Sequence, residues 1–428
     1  MGLPISRPTI QLPGCKSLSA RVLLTAASSS GVSRLKGLSE ARDTRELIAA
    51  LEQLGVAIQA EADQQWRVEG LGKPAETCGL RIDVGEGGST FRFLTAWLAA
   101  GNNDVVLEGA ASLFARPHQP LLDFLERHGA RFETASAPSG RKALRLLSSG
   151  LQGGLWRPPI RPSSQYLSAA LLASAWSGPI EVQLPGVDGG GELPSSGYLD
   201  LTLEVLRAFR GPLAVQARPG GFHIQPGAGR AGDFVVGGDP SGATFFLVAL
   251  ILTQGAARLQ APWSAVHPEA RLLRHLFDAG LLEADQDGVQ ATGRNPSFPL
   301  KFDLEQAPDA GPALAVLGAF LPEGLTLERV DRLRHKESDR VEGILKLLQQ
   351  LGRPVRLDGN QLQIPPATPP PSRAGRGTYH PQGDHRLAMA AGLAQLQWPD
   401  LTVAQPSCVD KSFPGFWDQL QRLVASLD

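Results

Sequence analysis

One pattern of apolar and polar residues recurs six times along the 428-residue chain. Each copy consists of a turn of small, polar or charged residues and a short helix that is rich in Ala and Leu. The helix is apolar on most of its faces, and a helix of this kind is buried in a globular protein. The spacing of the copies predicts six structural repeats of about 70 residues each. The copies begin at Lys16, Gly88, Ser163, Asp239, Asp309 and Asp384.

A second, amphipathic helix follows each apolar one. In the first copy it begins at Asp43, where Asp43 and Glu46 resemble a capping box, and it stops at Gly55. Short β-like runs separate the helices, so each repeat is predicted to contain two helices and three or four strands. We expect the second helices to lie at the surface, because each has a polar face. The other five begin near Pro117, Ser196, Pro268, Asp339 and Pro414.

The repeats predict an α/β protein of two domains, each built from three repeats, with a cleft between them. At about 150 residues per domain, the length of the chain leaves room for two or three domains. The chain is expected to cross from one domain to the other near Gly232, after the third repeat.

The overall charge of the chain is close to zero. Lys and Arg total 41 and Asp and Glu total 42, so the formal net charge is -1. A surface that binds polyanions in general is therefore not expected. Aromatic residues make up only 6% of the chain, which is too few for a platform that stacks nucleic-acid bases. We expect no nucleic-acid partner.

Cysteine usage and hydropathy bear on the location of the protein. Cys15, Cys78 and Cys408 form no CxxC pair and no His/Cys cluster, which argues against a disulfide scaffold and a structural zinc site. This usage suits a reducing compartment. The longest strongly apolar stretch, residues 245–252, is far shorter than the ~20 residues of a membrane helix, and no signal peptide is visible at the start. We expect a soluble, cytoplasmic protein without a membrane partner.

The starts of the apolar helices favour anions, because free backbone N–H groups and the positive end of the helix dipole lie there. The alternative for any single copy is that the turn only caps its helix. Basic residues at the same turns strengthen the case for a multiply anionic ligand, although any one of them alone could be a solvated surface residue. They are Lys16, Arg21, Arg92, Arg116, Arg334, Lys336, Arg340, His385, Arg386 and Lys411.

Two carboxylates at these turns are candidates for acid–base chemistry. Asp309 opens the fifth copy, and Glu337 lies between Lys336 and Arg340. Neighbouring cations favour the ionised form of a carboxylate unless burial opposes them. Asp309 could equally be a plain helix N-cap, and the remaining histidines, His118 among them, are isolated and interpreted as structural. The residues alone thus indicate a two-domain α/β protein that handles a phosphorylated or carboxylated small molecule without a metal.

The motifs in their order resemble the 5-enolpyruvylshikimate-3-phosphate synthase family, from Leu12 to the end of the chain. The most specific are the KES-DR pattern from Lys336 and the DHR-AMA pattern from Asp384. The resemblance implies two domains of three βαβαββ repeats each, an inside-out α/β barrel architecture, with the active site in the cleft between them. One domain would comprise residues 15–232, and the other residues 1–14 and 233–428. The further motifs are PGCKSLSAR, GGSTFRFLTA, ARP, SSQYLSAALL, SSGYLDLTLEVL, GDPSGATFFL, PDAGPALAV and DKSFPGFW.

The resemblance also implies a reaction. The family condenses shikimate 3-phosphate with phosphoenolpyruvate and releases phosphate, on the pathway to aromatic amino acids, with neither a metal nor an organic cofactor. Glu337 would move the proton at C3 of phosphoenolpyruvate, and Asp309, with Lys16, would take the proton of the attacking 5-hydroxyl. The resemblance to this family also favours a monomeric protein.

By the same resemblance, two sets of residues would bind the substrates. The phosphate of shikimate 3-phosphate would be held by the hydroxyls of Ser163, Ser164 and Ser195, and its ring hydroxyls by Asp309. The full set for this substrate is Lys16, Ser17, Arg21, Ser163, Ser164, Gln165, Ser195, Tyr198, Asp309 and Lys336. The set for phosphoenolpyruvate is Lys16, Gly88, Arg116, Gln165, Arg340, Arg386 and Lys411.

Several positions depart from the common pattern of the family. Arg332 occupies a position where the family often has an Asn or His that touches the substrate. Gly311 and Pro312 interrupt a commoner Ala-Met run. These departures bear on affinity and inhibitor sensitivity more than on the reaction, because every residue with an implied catalytic role is present. The others are Cys15 for Ser, Ala20 for Asn, Glu86 for an Asn- or Asp-like residue, and Gly197 for Lys or Arg.

Two rival functions follow from the same residues. The nearest is the related enolpyruvyl transferase that acts on UDP-N-acetylglucosamine, but that enzyme carries a loop cysteine that residues 111–115 lack. The other is a non-catalytic anion-binding protein of the same fold. Loss of Lys16, Glu337 or Lys411 would indicate it, and all three are present.

Overall fold

The computed structural model divides the chain into two compact units. The first unit is Gly14–Val236, and the second unit combines Met1–Pro13 with Gly237–Asp428. The structure describes residues 7–138, 140–184, 196–260, 262–366 and 376–426.

The described residues form short strands throughout the chain, separated by the helices. In chain order the strands are β1 (Thr9–Gln11), β2 (Ser30–Lys36), β3 (Ala57–Ala60), β4 (Gln65–Leu71), β5 (Thr77–Asp83), β6 (Asn102–Gly109), β7 (Ala130–Ser136), β8 (Lys142–Ser149), β9 (Gly154–Trp156), β10 (Ile180–Gln183), β11 (Val215–Arg218), β12 (Gly221–Ile224), β13 (Phe234–Val235), β14 (Ala256–Gln260), β15 (Leu282–Asp285), β16 (Gly288–Ala291), β17 (Leu300–Asp303), β18 (Leu325–Glu328), β19 (Arg356–Asp358), β20 (Gln361–Ile364), β21 (Gly377–Tyr379) and β22 (Leu401–Val403).

The helices follow the predicted alternation of apolar and amphipathic segments. In chain order they are α1 (Lys16–Ser28), α2 (Arg42–Gln53), α3 (Gly88–Ala99), α4 (Ala111–Phe114), α5 (Gln119–Arg127), α6 (Gln165–Ala173), α7 (Ser196–Arg210), α8 (Pro240–Thr253), α9 (Pro268–Asp278), α10 (Gly311–Gly318), α11 (Arg340–Gln350), α12 (His385–Gln395) and α13 (Phe416–Val424). Short 3₁₀ segments lie at Pro308–Ala310, Val330–His335 and Pro406–Lys411.

The described strands form five four-stranded sheets and one parallel pair. In the first unit the sheet orders are β13-β2-β4-β3, β5-β6-β8-β7 and β9-β10-β12-β11. The first pair in each order is parallel and the other two are antiparallel. A βαβ crossover joins β5 to β6 and β9 to β10, whereas β13 comes from the end of the unit to pair with β2. In the second unit the orders are β1-β14-β16-β15, β17-β18-β20-β19 and the parallel pair β21-β22.

The apolar helices lie in the interior of their units, as predicted. Nearly every residue of α8 is buried, including Phe245 and Phe246, because this helix has no polar face. The core of the second unit continues through α10 and α12 to Phe413 and Phe416 near the C-terminus. In the first unit α1, α3 and α6 are buried along most of their length.

The amphipathic helices bury one face and end as predicted. α2 buries Leu47, Ile48 and Leu51 and exposes the opposite side. A glycine in the left-handed region follows five of these helices, where a side chain would be strained. These glycines are Gly55, Gly129, Gly211, Gly280 and Gly352.

The capping box expected at Asp43 is not formed. α2 begins at Arg42, its N-cap is Ala41, and that residue makes no side-chain cap. Asp43 lies inside the first turn, where its carboxylate binds Lys16 instead. True aspartate caps occur in the second unit, where Asp239 accepts from the backbone N–H of Ser241 and thereby starts α8.

Among the residues that the structure describes, no helix is long and apolar enough to cross a membrane.

Gly14→Ala should destabilise the start of α1. A Cβ at this position would collide with the carbonyl oxygen of Gly37 and lie 3.0 Å from the carbonyl carbon of Leu38, and backbone atoms cannot move aside easily. We expect the free energy of unfolding to fall by about 1–3 kcal/mol, as overpacking does elsewhere. Urea denaturation measures it. Gly232→Ala is the matched control, because nothing lies within 4 Å of its Cβ position. Equal midpoints for the two variants would contradict the expectation.

Candidate active site

Side chains at the starts of the buried helices in the first unit are linked to one another. Lys16, the first residue of α1, donates from Nζ to Oδ2 of Asp43 at 2.8 Å. The backbone carbonyl of Asp43 accepts from the Thr90 hydroxyl at 3.2 Å, and Thr90 belongs to the first turn of α3. A Cβ on Gly87 would lie 3.1 Å from Cγ of Asp43, so the loop before α3 approaches α2 closely only because glycine stands there. Lys16 is thereby fixed beside this loop.

Arg116 lies against the same loop. A Cβ on Gly88 would lie 2.7 Å from Nη1 of Arg116. The bare backbone of Gly88 therefore allows the guanidinium to lie directly over the first residue of α3. Lys16, Gly88 and Arg116, which the sequence assigned to one ligand, lie around one loop in the first unit.

Arg21 is a buried cation with neutral partners. Its side chain is 1% exposed and makes four hydrogen bonds. Nε donates to Oγ1 of Thr202 at 2.8 Å, and Nη1 donates to the carbonyl of Ser17 at 2.6 Å. Nη2 donates to the hydroxyl of Ser168 at 3.2 Å and to the carbonyl of Tyr198 at 3.1 Å.

Burial lowers the pKa of Arg21 to about 10, so the group is still charged at neutral pH. Its four acceptors leave one of the five guanidinium N–H donors for a ligand. Because every described hydrogen-bond partner is neutral, the positive charge of Arg21 is not cancelled locally. An anion beside Ser17 and Tyr198 would be attracted by it.

Gln165 begins α6 and connects it to α3. Its side-chain N–H₂ donates to the hydroxyl of Ser89 at 2.8 Å, and its amide oxygen accepts from Nη1 of Arg92 at 2.7 Å. The backbone N–H of Gln165 donates to the hydroxyl of Ser163 at 3.3 Å, and Ser164 is the N-cap. The predicted Ser195 lies outside the described residues.

In the second unit a single guanidinium binds three carboxylates. Arg340 is 1% exposed. Nη1 lies 2.8 Å from Oδ1 of Asp309, Nη2 lies 2.8 Å from Oε2 of Glu337, and Nε lies 2.8 Å from Oδ2 of Asp384. Burial acts to lower the pKa of Arg340, but these three carboxylates outweigh it and raise the pKa above its usual range. Arg340 is permanently charged and fixed in orientation.

Asp309 lies in the 3₁₀ turn before α10 and contacts two cations. Its Oδ1 lies 3.0 Å from Nζ of Lys336 and 2.8 Å from Nη1 of Arg340. Burial acts to raise the pKa of Asp309, but Lys336, Arg340 and Arg386 together hold it well below the usual range. Burial lowers the pKa of Lys336, although Asp309 opposes that shift. At neutral pH Asp309 is an ionised carboxylate that can accept a proton or a hydrogen bond.

Glu337 is held between two cations. Its Oε2 faces Arg340, and its Oε1 lies 3.8 Å from Nζ of Lys411. Lys411 is 2% exposed and ends the 3₁₀ segment Pro406–Lys411. Asp309 and Glu337 are thus neighbouring carboxylates on opposite sides of one guanidinium.

Two N-cap aspartates serve the site as well as their helices. Oδ1 of Asp384 accepts from the backbone N–H of Arg386 at 2.9 Å and starts α12, while its Oδ2 binds Arg340 and accepts from the Ser338 hydroxyl at 3.1 Å. Oδ2 of Asp239, which caps α8, lies 3.8 Å from Nη2 of Arg386. Each of these aspartates therefore both starts its helix and contacts an arginine of the site.

The departures from the family pattern occupy ordinary surroundings. Cys15 is 3% exposed at the N-cap of α1 and Ala20 is buried within it. Arg332 donates to the backbone carbonyl of Glu305, and its charge contributes to the lowered pKa of Lys336. A Cβ on Gly311 would lie 2.9 Å from a methyl carbon of Leu304, which explains why α10 starts with glycine.

The arrangement suits anionic ligands. Within either unit taken alone, the described residues place no three His, Cys, Asp or Glu ligand atoms close enough together to hold a metal ion.

The predicted site residues fall into two sets. Lys16, Ser17, Arg21, Gly88, Arg116, Ser163, Ser164, Gln165 and Tyr198 lie in the first unit, and Asp309, Lys336, Glu337, Arg340, Arg386 and Lys411 lie in the second.

Comparison with known proteins identifies the family. The model of the family described as EPSP synthase (3-phosphoshikimate 1-carboxyvinyltransferase) matches residues 6–420. The chain belongs to the EPSP synthase family. A 3-phosphoshikimate 1-carboxyvinyltransferase of Pseudomonas syringae pv. syringae is 33% identical over 437 residues, which cover 99% of this chain and 97% of that protein. One of Rhizobium leguminosarum bv. trifolii is 32% identical over 434 residues, covering 99% and 95%.

Solved structures share the fold. The EPSP synthase of Acinetobacter baumannii superposes with a TM-score of 0.75 at 23% identity, covering 99% of this chain and 96% of that one. The enolpyruvyl transferase NikO of Streptomyces tendae gives 0.72 at 19% identity, with the same coverage. The predicted EPSP synthase family, the enolpyruvyl transferase fold and the transferase class of enzyme are confirmed.

Four residues of the site were missed by the sequence argument. Asp43 was interpreted as a cap, Arg92 was grouped with the other basic residues without a role, and Asp239 and Asp384 were taken only as the starts of repeats. An aspartate directly before a buried helix was the available signal for the last two. Lys16 lies 27 positions from Asp43 in the chain, and Gln165 lies 73 positions from Arg92, so no local pattern indicates these partners.

Asp309→Asn should change the acid dependence of stability. Because the folded pKa of Asp309 is depressed, its ionised form stabilises the fold above the unfolded pKa of about 3.9, and this contribution is lost as the pH falls towards the folded pKa. We expect the variant to be less stable by about 1–3 kcal/mol at pH 7, since the buried Arg340 and the partly buried Lys336 lose a partner. The difference should shrink below about pH 4. Urea denaturation from pH 3 to pH 7 measures it.

Asp358→Asn serves as the control, because Asp358 is exposed in β19. A stability difference between wild type and Asp309→Asn that is the same at pH 3 and pH 7 would contradict a depressed pKa at Asp309.

Proposed function

We propose that this protein transfers the enolpyruvyl group of phosphoenolpyruvate to the 5-hydroxyl of shikimate 3-phosphate and releases phosphate. The family name itself describes a carboxyvinyl transfer to 3-phosphoshikimate. The observation that carries the proposal is the attachment of two carboxylates, Asp309 and Glu337, to the guanidinium of Arg340. The reaction needs one group that delivers a proton to C3 and another that accepts the hydroxyl proton. Two carboxylates held by one fixed cation meet this need.

The proposed sequence of bond changes assigns a role to each. Protonation of the C3 methylene makes C2 electrophilic, and the 5-hydroxyl attacks C2 while losing its proton. The tetrahedral adduct then loses phosphate and a proton from the new methyl group. We assign the C3 proton transfers to Glu337. Asp309, with Lys16, accepts the hydroxyl proton, and its depressed pKa keeps it ionised for this role at neutral pH.

The first unit supplies most of the proposed contacts to shikimate 3-phosphate. Arg21 supports this assignment, because its buried charge has only neutral described partners and one N–H remains for an anion. The hydroxyls of Ser163, Ser164 and Ser195 are proposed to hold the phosphate. Asp309 and Lys336 of the second unit are proposed to meet the ring hydroxyls.

The cations of both units are proposed to share phosphoenolpyruvate. Arg116 and Lys16 of the first unit would act with Arg340, Arg386 and Lys411 of the second. Charge that develops on the carboxylate and phosphate oxygens in the transition state would be stabilised by these fixed donors. We propose that binding of both substrates excludes water from the reacting groups.

Glu337→Gln and Lys16→Met should abolish most of the activity. Purified protein with both substrates and no added metal is expected to release phosphate, and either substrate alone is not. Because general acid–base catalysis contributes roughly 100-fold or more, we expect Glu337→Gln to lower kcat by at least that factor. Lys16→Met should lower kcat/KM strongly, since it removes a cation proposed to contact both substrates.

Matched controls come from the exposed pair of α11. Glu342→Gln and Lys346→Met alter an exposed Glu and Lys that pair with each other at 3.3 Å, and activity should be unchanged. No phosphate release from folded wild-type protein would overturn the proposal. UDP-N-acetylglucosamine would then test the rival transferase, and substrate binding without turnover would indicate the non-catalytic anion-binding protein.

Gly88→Ala should weaken the binding of phosphoenolpyruvate more than that of shikimate 3-phosphate. The new Cβ would lie 2.7 Å from Nη1 of Arg116, and this flexible side chain would be displaced while the backbone keeps its place. We expect KM for phosphoenolpyruvate to rise roughly tenfold, the equivalent of about 1.4 kcal/mol, with little change in KM for shikimate 3-phosphate. Steady-state kinetics with each substrate varied in turn measure the two constants. Equal changes in both would contradict a local displacement of Arg116.

We further propose that the protein acts as a monomer in the cytoplasm. Cys15, Cys78 and Cys408 form no disulfide among the residues that the structure describes, which suits a reducing compartment. Size-exclusion chromatography with light scattering tests the oligomeric state, and a mass well above 45.5 kDa would contradict it.

A further inference from the structure

Arg92 is a buried cation of the first unit to which the proposed reaction assigns no contact. It is 5% exposed and lies within α3. Its guanidinium donates in three directions: Nη1 to the amide oxygen of Gln165 at 2.7 Å, Nη2 to the carbonyl of Pro117 at 3.0 Å, and Nε to Nδ1 of His118 at 3.3 Å. Its carbon CZ lies 5.1 Å from the centre of the Tyr166 ring. The guanidinium is therefore fixed in both position and orientation.

The contact with Arg92 determines which way the Gln165 amide points. The amide oxygen faces a permanent cation, and the opposite end donates to the hydroxyl of Ser89 at 2.8 Å. A rotated amide would place its N–H₂ group against the guanidinium, donor against donor. One N–H of Gln165 is used by Ser89, and the other remains for a ligand.

His118 completes the arrangement as a neutral acceptor. Its Nε2 lies 2.8 Å from the carbonyl of Leu113, which can only accept, so Nε2 carries the proton and Nδ1 is free to accept from Arg92. Burial lowers the pKa of His118 to about 3, the charges of Arg92 and Arg116 add to that shift, and the Leu113 carbonyl opposes it. The ring of Phe91 packs against it, with centroids 4.5 Å apart. The imidazole stays neutral at physiological pH.

We propose that Arg92 is a positioning residue that orients the side-chain amide of Gln165. In this orientation the second amide N–H of Gln165 is available to the substrates. His118 aligns Arg92 for this role. The inference rests on the proposed function, because it acts through the contact of Gln165 with shikimate 3-phosphate and phosphoenolpyruvate. Arg92 itself touches neither substrate. The line of contacts runs from Leu113 through His118 and Arg92 to Gln165.

A double-mutant cycle tests whether Arg92 acts through Gln165. Arg92→Met and Gln165→Met should each lower kcat/KM by roughly 10- to 100-fold, mainly through KM, as the loss of a hydrogen bond to a charged group does elsewhere. In the double variant the loss should stay within about threefold of that in Gln165→Met alone, because interacting residues are not additive. Arg92→Lys, which can still reach the amide oxygen, should recover part of the loss.

Arg353→Met is the matched control for loss of a buried arginine. Arg353 belongs to the second unit, is 8% exposed, and lies over the rings of Phe320 and Trp398. It should leave KM unchanged. Additive effects of Arg92→Met and Gln165→Met, or equal effects of Arg92→Met and Arg353→Met on KM, would overturn the inference. Inactive wild-type protein would instead overturn the proposed function, and the next measurement separates the two failures.

The state of His118 can be measured without any activity. In protein labelled with ¹⁵N-histidine, the His118 signal is identified by its absence in His118→Asn. It should show a neutral ring with the proton on Nε2 from pH 8 to pH 5. A ring that titrates near pH 6.5, or one protonated on Nδ1, would overturn the role of His118 as the acceptor for Arg92.

Discussion

The burial of the Arg340 guanidinium is the constraint around which the second unit arranges its part of the site. A charge removed from water costs several kcal/mol unless it is paired with good geometry. Here the partners come from three separate places: Asp309 in the 3₁₀ turn before α10, Glu337 before α11, and Asp384 at the N-cap of α12. The starts of three helices are thereby fixed relative to one cation. The orientation of both proposed catalytic carboxylates follows from that.

The buried arginines of the first unit have neutral hydrogen-bond partners instead of carboxylates. Arg21 and Arg92 bond to hydroxyls, carbonyls, an amide and an imidazole, and these neutral groups hold the side chains without cancelling their charge. An ion pair fixes a cation but neutralises it, whereas neutral acceptors fix it and leave its field for a ligand. The exception is Lys16, which is paired with Asp43. Arg21 is already fixed by four hydrogen bonds to neutral groups, so little order remains to be imposed on it when an anion binds.

The repeat architecture could be predicted from the sequence because it depends on local patterns. Apolar helices with small polar starts, amphipathic helices and terminal glycines such as Gly55 recur with a regular period, and they reappear in the structure. The cationic side chains of the site stood at those same turns. The pairing among charges was not predictable, because it depends on contacts between residues that are far apart in the chain. Asp43 illustrates this: its spacing to Glu46 indicated a cap, but Lys16 in the preceding helix takes its carboxylate. His118 was interpreted as isolated for the same reason.

The pairing of β1 with β14 has a consequence for the synthesis of the protein. β1 precedes the other described elements in the chain, yet its parallel partner is β14, where Thr9 aligns with Arg258. The first unit ends with β13, which pairs with β2, so its residues are complete well before those of the second. At common elongation rates β1 stays an unpaired edge for roughly ten seconds or longer while the first unit is synthesised. A nascent chain thus carries β1 unpaired while the residues between β1 and β14 are synthesised, and an unpaired strand can pair with other chains.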